Sequence, residues 1–321
     1  MHRGILALAL GGNALSPADA QGYAIERDRI AFTGNTLRRL AHTGWRLLIV
    51  HGNGPQVGRL LDADAQAENL DIHTAQTQGE LGYLLARELA GSVSLVTRVH
   101  VHDSETRMPV HQAAPVHQAA LHQAAQAGDR VPVQEAQTVM SRSAPAPAVK
   151  AIGPLLAQPP AGVASIPYRT GWRQVVPSPL PHAVIELPAI RRLLTTHHVI
   201  AGGGGGIPLD CNNTPVNGVV DKDRVAALLA IAVGATRLVF ATDVDGLFTG
   251  FDTPHARLVP TLSLQAGEDM LAAGEASAGS MGPKLESALQ FARQTGREAL
   301  ICRWDALENA LSGAAGTRIT G

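Results

Sequence analysis

Lysine is nearly missing from this chain of 321 residues: among its 26 lysines and arginines, only Lys150, Lys222 and Lys284 are lysine. Cysteine is scarcer still. Cys211 and Cys302 are the only two, too few for a disulfide framework and not spaced as a metal-binding pair. They read as small hydrophobes in a reducing compartment. Aromatic residues make up 3% and the formal net charge is −1. That balance excludes a nucleic-acid surface, which needs basic clusters and stacking rings. No stretch approaches the ~20 apolar residues of a membrane-spanning helix. The apolar run in the opening "MHRGILALAL" is shorter than the ~7–15 residues of a secretory signal core. The expectation is a cytoplasmic protein with no nucleic-acid or membrane partner.

The composition is otherwise that of an ordinary globular protein, 45% hydrophobic and 17% charged, with 33 glycines and 20 prolines. In the first third, short apolar runs alternate with helical stretches. "ILALAL" (5–10) and "WRLLIV" (45–50) read as strands, and 26–44, 55–68 and 77–91 as helices. "VSLVTRVHV" (93–101) reads as one further strand. The alternation resumes after residue 188, with helices at 188–197, 221–234 and 280–296 and strands at 198–203, 237–242 and 298–303. Strand–helix alternation predicts parallel strands joined by crossover helices. The fold class is therefore α/β, a three-layer α/β/α sandwich on a mainly parallel sheet.

From about 103 to 180 the pattern fails. This stretch is rich in Pro, Gln and Ala and holds a local repeat, "PVHQAAPVHQAALHQAAQ" (109–126). His111, His117 and His122 are six and five residues apart, so they share no helix face, and the repeat reads as a solvated duplication. An irregular insertion of this length in an α/β chain is typical of a lid or substrate loop, and Lys150 lies in it.

Four glycine turns follow predicted strands: "GGN" (11–13), "HGNGPQVG" (51–58), "GGGGGIP" (202–208) and "TDVDGLF" (242–248). Glycine lets backbone N–H groups approach a ligand with no Cβ in the way, and such groups ahead of a helix form anion sites. In open α/β sheets ligands sit at the carboxyl edge, where these turns fall. No G-x-x-x-x-G-K-[ST] is present, and "GNGPQVG" is one residue too long for the dinucleotide fingerprint. A P-loop enzyme is excluded and a dehydrogenase is poorly supported.

Asp221 reads as a helix N-cap, which puts Lys222 in the first turn of its helix. Lys284 stands four residues after Ser280, another N-cap candidate. A cation there opposes the helix dipole by ~0.3–1 kcal/mol. A bound polyanion would remove the conflict, because ammonium and dipole would then attract the same charge. The Asp221 carboxylate could also hold the flanking lysines in place, beyond its capping role. Asp243 and Asp245 are either turn formers or receivers of a ribose or base.

Taken together, "ALGGNAL" (9–15), "HGNGPQVG", "TQGELGYLL" (77–85), "GWRQVVPSP" (171–179), "GGGGIP" (203–208), "VVDKD" (219–223) and "GSMGPKLESALQF" (279–291) resemble the amino-acid kinase fold family, and within it the carbamate kinase branch. The resemblance implies ATP-dependent phosphoryl transfer to carbamate, giving ADP and carbamoyl phosphate, on a homodimer with Mg²⁺ carried on ATP or ADP. It also implies a substrate lobe at 1–200, with a small inserted lid subdomain at about 103–170, and a nucleotide lobe at 201–321. By match, Gly11, Gly12 and Asn13 would face the transferred phosphoryl group, and Gly52, Asn53 and Gly54 would hold carbamate. Lys222 and Lys284 would neutralise the phosphates with Asp221 organising them, and Lys150 would reach over from the lid. Gly203, Gly204, Thr242, Asp243, Val244, Asp245, Ser280, Met281 and Gly282 would bind the nucleotide.

The chain departs from the pattern in three places. The family's acidic and aromatic run ahead of Lys150 is replaced by the repeat. "ATDVDGLF" resembles the glutamate 5-kinase or uridylate kinase version of its loop, and "LLAQPPAGVASIPYRT" (155–170) is unfamiliar for the family. Carbamate is already an anionic nucleophile, so no general base is required. No His, Asp and Glu cluster suggests a protein-built metal site. Two rivals stand beside this reading: a kinase of the same fold acting on an amino acid or nucleoside monophosphate, and a nucleotide-binding module without catalysis.

Overall fold

The computed structural model describes residues 3–16, 22–63, 69–102, 149–159, 164–168, 171–251, 253–276 and 281–321. Among these, eight strands form one sheet. Its order is Thr261–Ser263, Thr317–Thr320, Ala299–Arg303, Arg237–Thr242, Gly4–Leu10, Trp45–His51, His198–Ile200 and Ser92–Ser94. The six from Ala299–Arg303 onward are parallel. Thr317–Thr320 runs antiparallel to Ala299–Arg303, and Thr261–Ser263 runs parallel to Thr317–Thr320.

The strand Gly4–Leu10 shows why the sheet carries helices on both faces. Successive side chains point to opposite faces, and residues 6–10 are all fully buried. Ala7 and Ala9 pack with Val225, Leu229, Leu285 and Phe291, from the helices Lys222–Ala232 and Met281–Thr295. Leu6, Leu8 and Leu10 pack with Ile30, Leu37, Leu81 and Leu85, from Tyr23–His42 and Leu70–Glu88. A parallel strand covered on both faces is apolar throughout, and each buried leucine contributes ~1.5–3 kcal/mol. The three-layer α/β/α sandwich with a mainly parallel sheet is the class the sequence predicts.

The single strand expected at 93–101 is two. Ser92–Ser94 belongs to the main sheet, while Arg98–Val101 lies in a second sheet between Ile207–Leu209 and Pro181–Val184. Gln78 causes the break by acting as a local strand neighbour. Its Oε1 accepts from Thr97 N at 2.8 Å and its Nε2 donates to Thr97 O at 3.2 Å. The helix expected from residue 77 begins at Leu70, after Asn69.

The stretch read as irregular contains a three-stranded antiparallel sheet of Val149–Leu156, Gly171–Pro177 and Ser165–Tyr168. Lys150 sits on its first strand. This sheet packs on the helix Gly54–Ala63 through two glycines: a Cβ on Gly58 would run into the backbone of Gly153, whose φ is +71°. The repeat at 109–126 lies outside the described residues.

Candidate active site

Four of the parallel strands end at the same edge of the sheet, and their glycine turns meet there. Gly11 N donates to Ala241 O at 2.9 Å, and a Cβ on Gly11 would stand equally close to that oxygen. The first turn is thereby pressed against the end of the strand leading to Thr242. Gly52 N donates to Leu10 O at 2.9 Å. A Cβ on Gly52 would lie 3.2 Å from Gly12 N and 3.3 Å from both Cδ and Cε of Lys222. A side chain there would press on the lysine stem that lies along the second turn. Around Gly54 the space a side chain would take is open.

The third turn runs through the left-handed region, with φ of +67°, +65°, +94° and +81° at Gly202, Gly204, Gly205 and Gly206. There L side chains are strained. Asn53 fills the place where a Gly204 Cβ would stand, and His51 does the same at Gly203. The buried Asn53 side chain is held by a 2.8 Å bond from Nδ2 to Thr77 Oγ1. Burial pushes the pKa of His51 down to about 4, outweighing the raising effect of its contact with Gly52 O, so this imidazole is neutral near pH 7.

The three lysines converge on two aspartates. Asp221 caps the helix Lys222–Ala232, its side chain accepting from Asp223 N at 2.8 Å and Arg224 N at 3.3 Å. Its Oδ2 lies 3.3 Å from Lys150 Nζ, which also donates to Val220 O at 3.0 Å. Asp223 stands between the other two lysines, with Oδ1 2.7 Å from Lys222 Nζ and Oδ2 3.2 Å from Lys284 Nζ. Lys222, Asp223 and Lys284 are 7%, 1% and 3% exposed, so these are buried ion pairs and not surface charges.

This arrangement alters the expected role of Asp221. The carboxylate bonded to Lys222 and Lys284 is that of Asp223, which the sequence reading left out, while Asp221 takes the cap and Lys150. Asp223 was findable as an acid in a first helical turn, where the dipole favours it. It also resolves the conflict between each ammonium and its helix dipole. Burial opposes the charge of Asp221, but Lys150, Lys222, Lys284 and the Asp223 N–H outweigh it and hold the carboxyl well below the usual carboxylate range. Burial likewise opposes the charge on Lys222, yet Asp223 and Asp221 raise its pKa. For Lys284, burial and the neighbouring Lys222 prevail over Asp223 and lower it.

The remaining candidates surround this core. Thr242 is buried at the strand end and donates to Asp243 Oδ1 at 3.2 Å. Asp243 is exposed and Val244 half-buried. Asp245 is exposed and pairs with Arg303 at 3.4 Å. Met281 and Gly282 open the helix that carries Lys284. Ser280 and the side chain of Asn13 lie outside what the structure describes. Among the described residues no group of three or more His, Cys, Asp or Glu side chains is placed to hold a metal ion.

An edge built from backbone turns and buried, ion-paired lysines is suited to polyanions such as phosphate groups. Comparison with known proteins agrees on the class. A model of the Amino acid kinase family matches residues 4–303, and the chain belongs to that family. More narrowly, it is 32% identical over 97% of its length to a carbamate kinase of Halobacterium salinarum, covering 97% of that protein. With a carbamate kinase of Escherichia coli it shares 33% identity, over 98% of this chain and 99% of the other. It is also similar to the structure of a carbamate kinase from Giardia lamblia bound to AMP-PNP. There the TM-score is 0.74 at 26% identity, over 99% of this chain and 98% of that one.

Proposed function

We infer that the protein is a carbamate kinase, an ATP-dependent phosphotransferase interconverting ATP and carbamate with ADP and carbamoyl phosphate. The observation that carries this reading is Asp223 holding Lys222 and Lys284, both buried, where the glycine turns meet. Full-length similarity to carbamate kinases supports the acceptor, and the AMP-PNP complex of the Giardia lamblia protein supports the nucleotide.

Phosphoryl transfer asks the protein for positioning and for charge stabilisation on the non-bridging oxygens. The turn Gly11–Asn13 faces the transferred group, with the Gly11 amide itself held by Ala241 O, and the turn Gly52–Gly54 holds carbamate on its other side. Lys222 and Lys284 neutralise the phosphates, while Lys150 approaches from the lid sheet above Asp221. The nucleotide lies against Gly203, Gly204, the loop from Thr242 to Asp245, and Met281 and Gly282. Carbamate brings its own negative charge, so no side chain has to remove a proton, and the neutral His51 keeps its structural place. Asp221 and Asp223 are taken up by lysines, so Mg²⁺ would be carried by the nucleotide phosphates, whose charge it would screen. The working form is a homodimer in the cytoplasm.

The test is one coupled assay of ATP formation from ADP with carbamoyl phosphate, acetyl phosphate and phosphorylated amino acids, with and without excess chelator. Turnover of carbamoyl phosphate that stops in chelator is expected. Robust turnover of another donor with none on carbamoyl phosphate would overturn the acceptor assignment, and undiminished turnover in chelator would overturn the metal requirement.

A further inference from the structure

A second buried charge cluster lies behind the first two glycine turns, away from the lysines. Its centre is Glu26, in the first turn of the helix Tyr23–His42, with 0% exposure. Its Oε1 accepts from Ser16 Oγ at 3.0 Å, Gln56 Nε2 at 3.1 Å and Arg59 Nη1 at 2.7 Å, and its Oε2 accepts from Arg59 Nη2 at 3.2 Å. Taking a carboxylate fully out of water is costly unless such bonds offset it. Here four bonds from three side chains offset it.

They connect the two turns. Ser16 ends the loop that begins at Gly11, and its backbone N donates to Gly12 O at 2.7 Å. Gln56 and Arg59 lie on the helix Gly54–Ala63, which continues directly from Gly52 and Asn53. The same helix start touches the first turn, since a Cβ on Gly12 would lie 3.5 Å from Pro55 Cδ. The helix Tyr23–His42 makes a further tie, Thr33 Oγ1 donating to Ala14 O at 2.7 Å. A third helix, Leu70–Glu88, adds Glu80, whose Oε1 is buried without a hydrogen-bond partner. Burial and then the Glu26 carboxylate raise the pKa of Glu80, against the lowering effect of Arg59.

We propose that Glu26 is a positioning residue for the reaction, a clamp that fixes the separation of the turn seating the transferred phosphoryl group from the turn seating carbamate. This rests on the reading of those turns given above. Small misplacements of reacting groups are expensive in rate, and one carboxylate oxygen bonded to both turns is a direct way to hold their spacing. The nucleotide lobe makes none of these bonds, so Glu26 should act on the carbamoyl side alone.

Glu26→Gln keeps the side chain's size while removing its charge and turning an amide N–H toward Arg59. Ser16→Ala cuts only the link to the first turn. In the assay of ADP with carbamoyl phosphate, Glu26→Gln should lower kcat/KM for carbamoyl phosphate about tenfold, through a lower kcat as well as a higher KM, the scale of one charge-assisted hydrogen bond. The KM for ADP should stay near that of the wild type, and Ser16→Ala should lower kcat/KM for carbamoyl phosphate less. Hydrogen exchange tests the clamp without catalysis. Peptides covering 11–16 and 52–57 should exchange faster together in Glu26→Gln, while peptides from 222–232 and 281–295 keep wild-type rates. Equal changes in both KM values, or exchange that rises uniformly or in neither turn, would overturn the clamp. A wild-type protein inactive on carbamoyl phosphate would instead overturn the functional reading, with the exchange result still deciding the clamp.

Discussion

The Nζ of Lys150 lies 3.3 Å from Oδ2 of Asp221, so the three-stranded sheet touches the helix carrying Lys222 at its N-cap. The lysine is brought there by the strand Val149–Leu156, seated on the helix Gly54–Ala63 where Gly58 meets Gly153. The sheet carrying Lys150 and the turn Gly52–Gly54 are thus set by the same helix.

Lys150→Ala should therefore impair catalysis far more than folding. Loss of one positioned electrostatic donor typically lowers turnover by ~10²–10³. The pair with Asp221 is mostly buried, but Asp221 keeps its bonds from the N–H groups of Asp223 and Arg224 when Lys150 is removed, so the loss of stability should stay below the ~3–5 kcal/mol of a fully broken buried pair. Steady-state turnover and a urea titration on the same preparation separate the two effects. A large loss of stability with little loss of turnover would make Lys150 a structural strut.

Asp223→Asn should be damaging even without substrate. It leaves Lys222 and Lys284 buried beside each other without their shared carboxylate, and breaking a buried pair in this way costs ~3–5 kcal/mol. An added anion should restore part of that loss, so phosphate or ADP should raise the thermal midpoint of the variant more than that of the wild type. A midpoint within a degree or two of wild type would mean that the lysines are not buried against Asp223.

His51 makes a signed prediction for pH. Its folded pKa of about 4 lies below the ordinary value of 6.5, so the unfolded chain binds the extra proton first as pH falls. The stabilisation is complete above about pH 6.5 and drains away toward pH 4, at up to ~1.4 kcal/mol per pH unit. Thermal midpoints of wild type and His51→Gln should converge over that range as the wild type falls more steeply. Parallel curves would show that His51 is not buried in its neutral form.

The sheet was legible because its strands obey simple periods: "ILALAL" alternates small and large residues, and the structure sorts them onto two helix layers. Lys222 and Lys284 were legible as well, because lysine is rare here and both stand where a helix dipole disfavours them. Their partner was not. Asp221 and Asp223 flank Lys222 equally in sequence, and only the packing of Met281–Thr295 beside Lys222–Ala232 brings Lys284 to Asp223. The break at Thr97 depends on Gln78, nineteen residues away, and the Glu26 cluster draws on three helices and a loop. A period cannot reveal contacts of that kind. The three-stranded sheet stayed hidden because its strands lie among prolines and glycines that read locally as loop.

The most direct test of the phosphate site is turnover of Lys222→Arg and Lys284→Arg, measured beside the two alanine variants. Each arginine keeps the charge, but its planar fork must fit beside Gly52 at position 222, and at position 284 where the lysine is 3% exposed and held against Asp223. Each arginine variant should lose ~10²–10³ of wild-type turnover, about 3–4 kcal/mol of transition-state stabilisation, and fall as low as its alanine counterpart. Arginine variants that turn over at near wild-type rates would contradict the site, because any positive charge would then serve there.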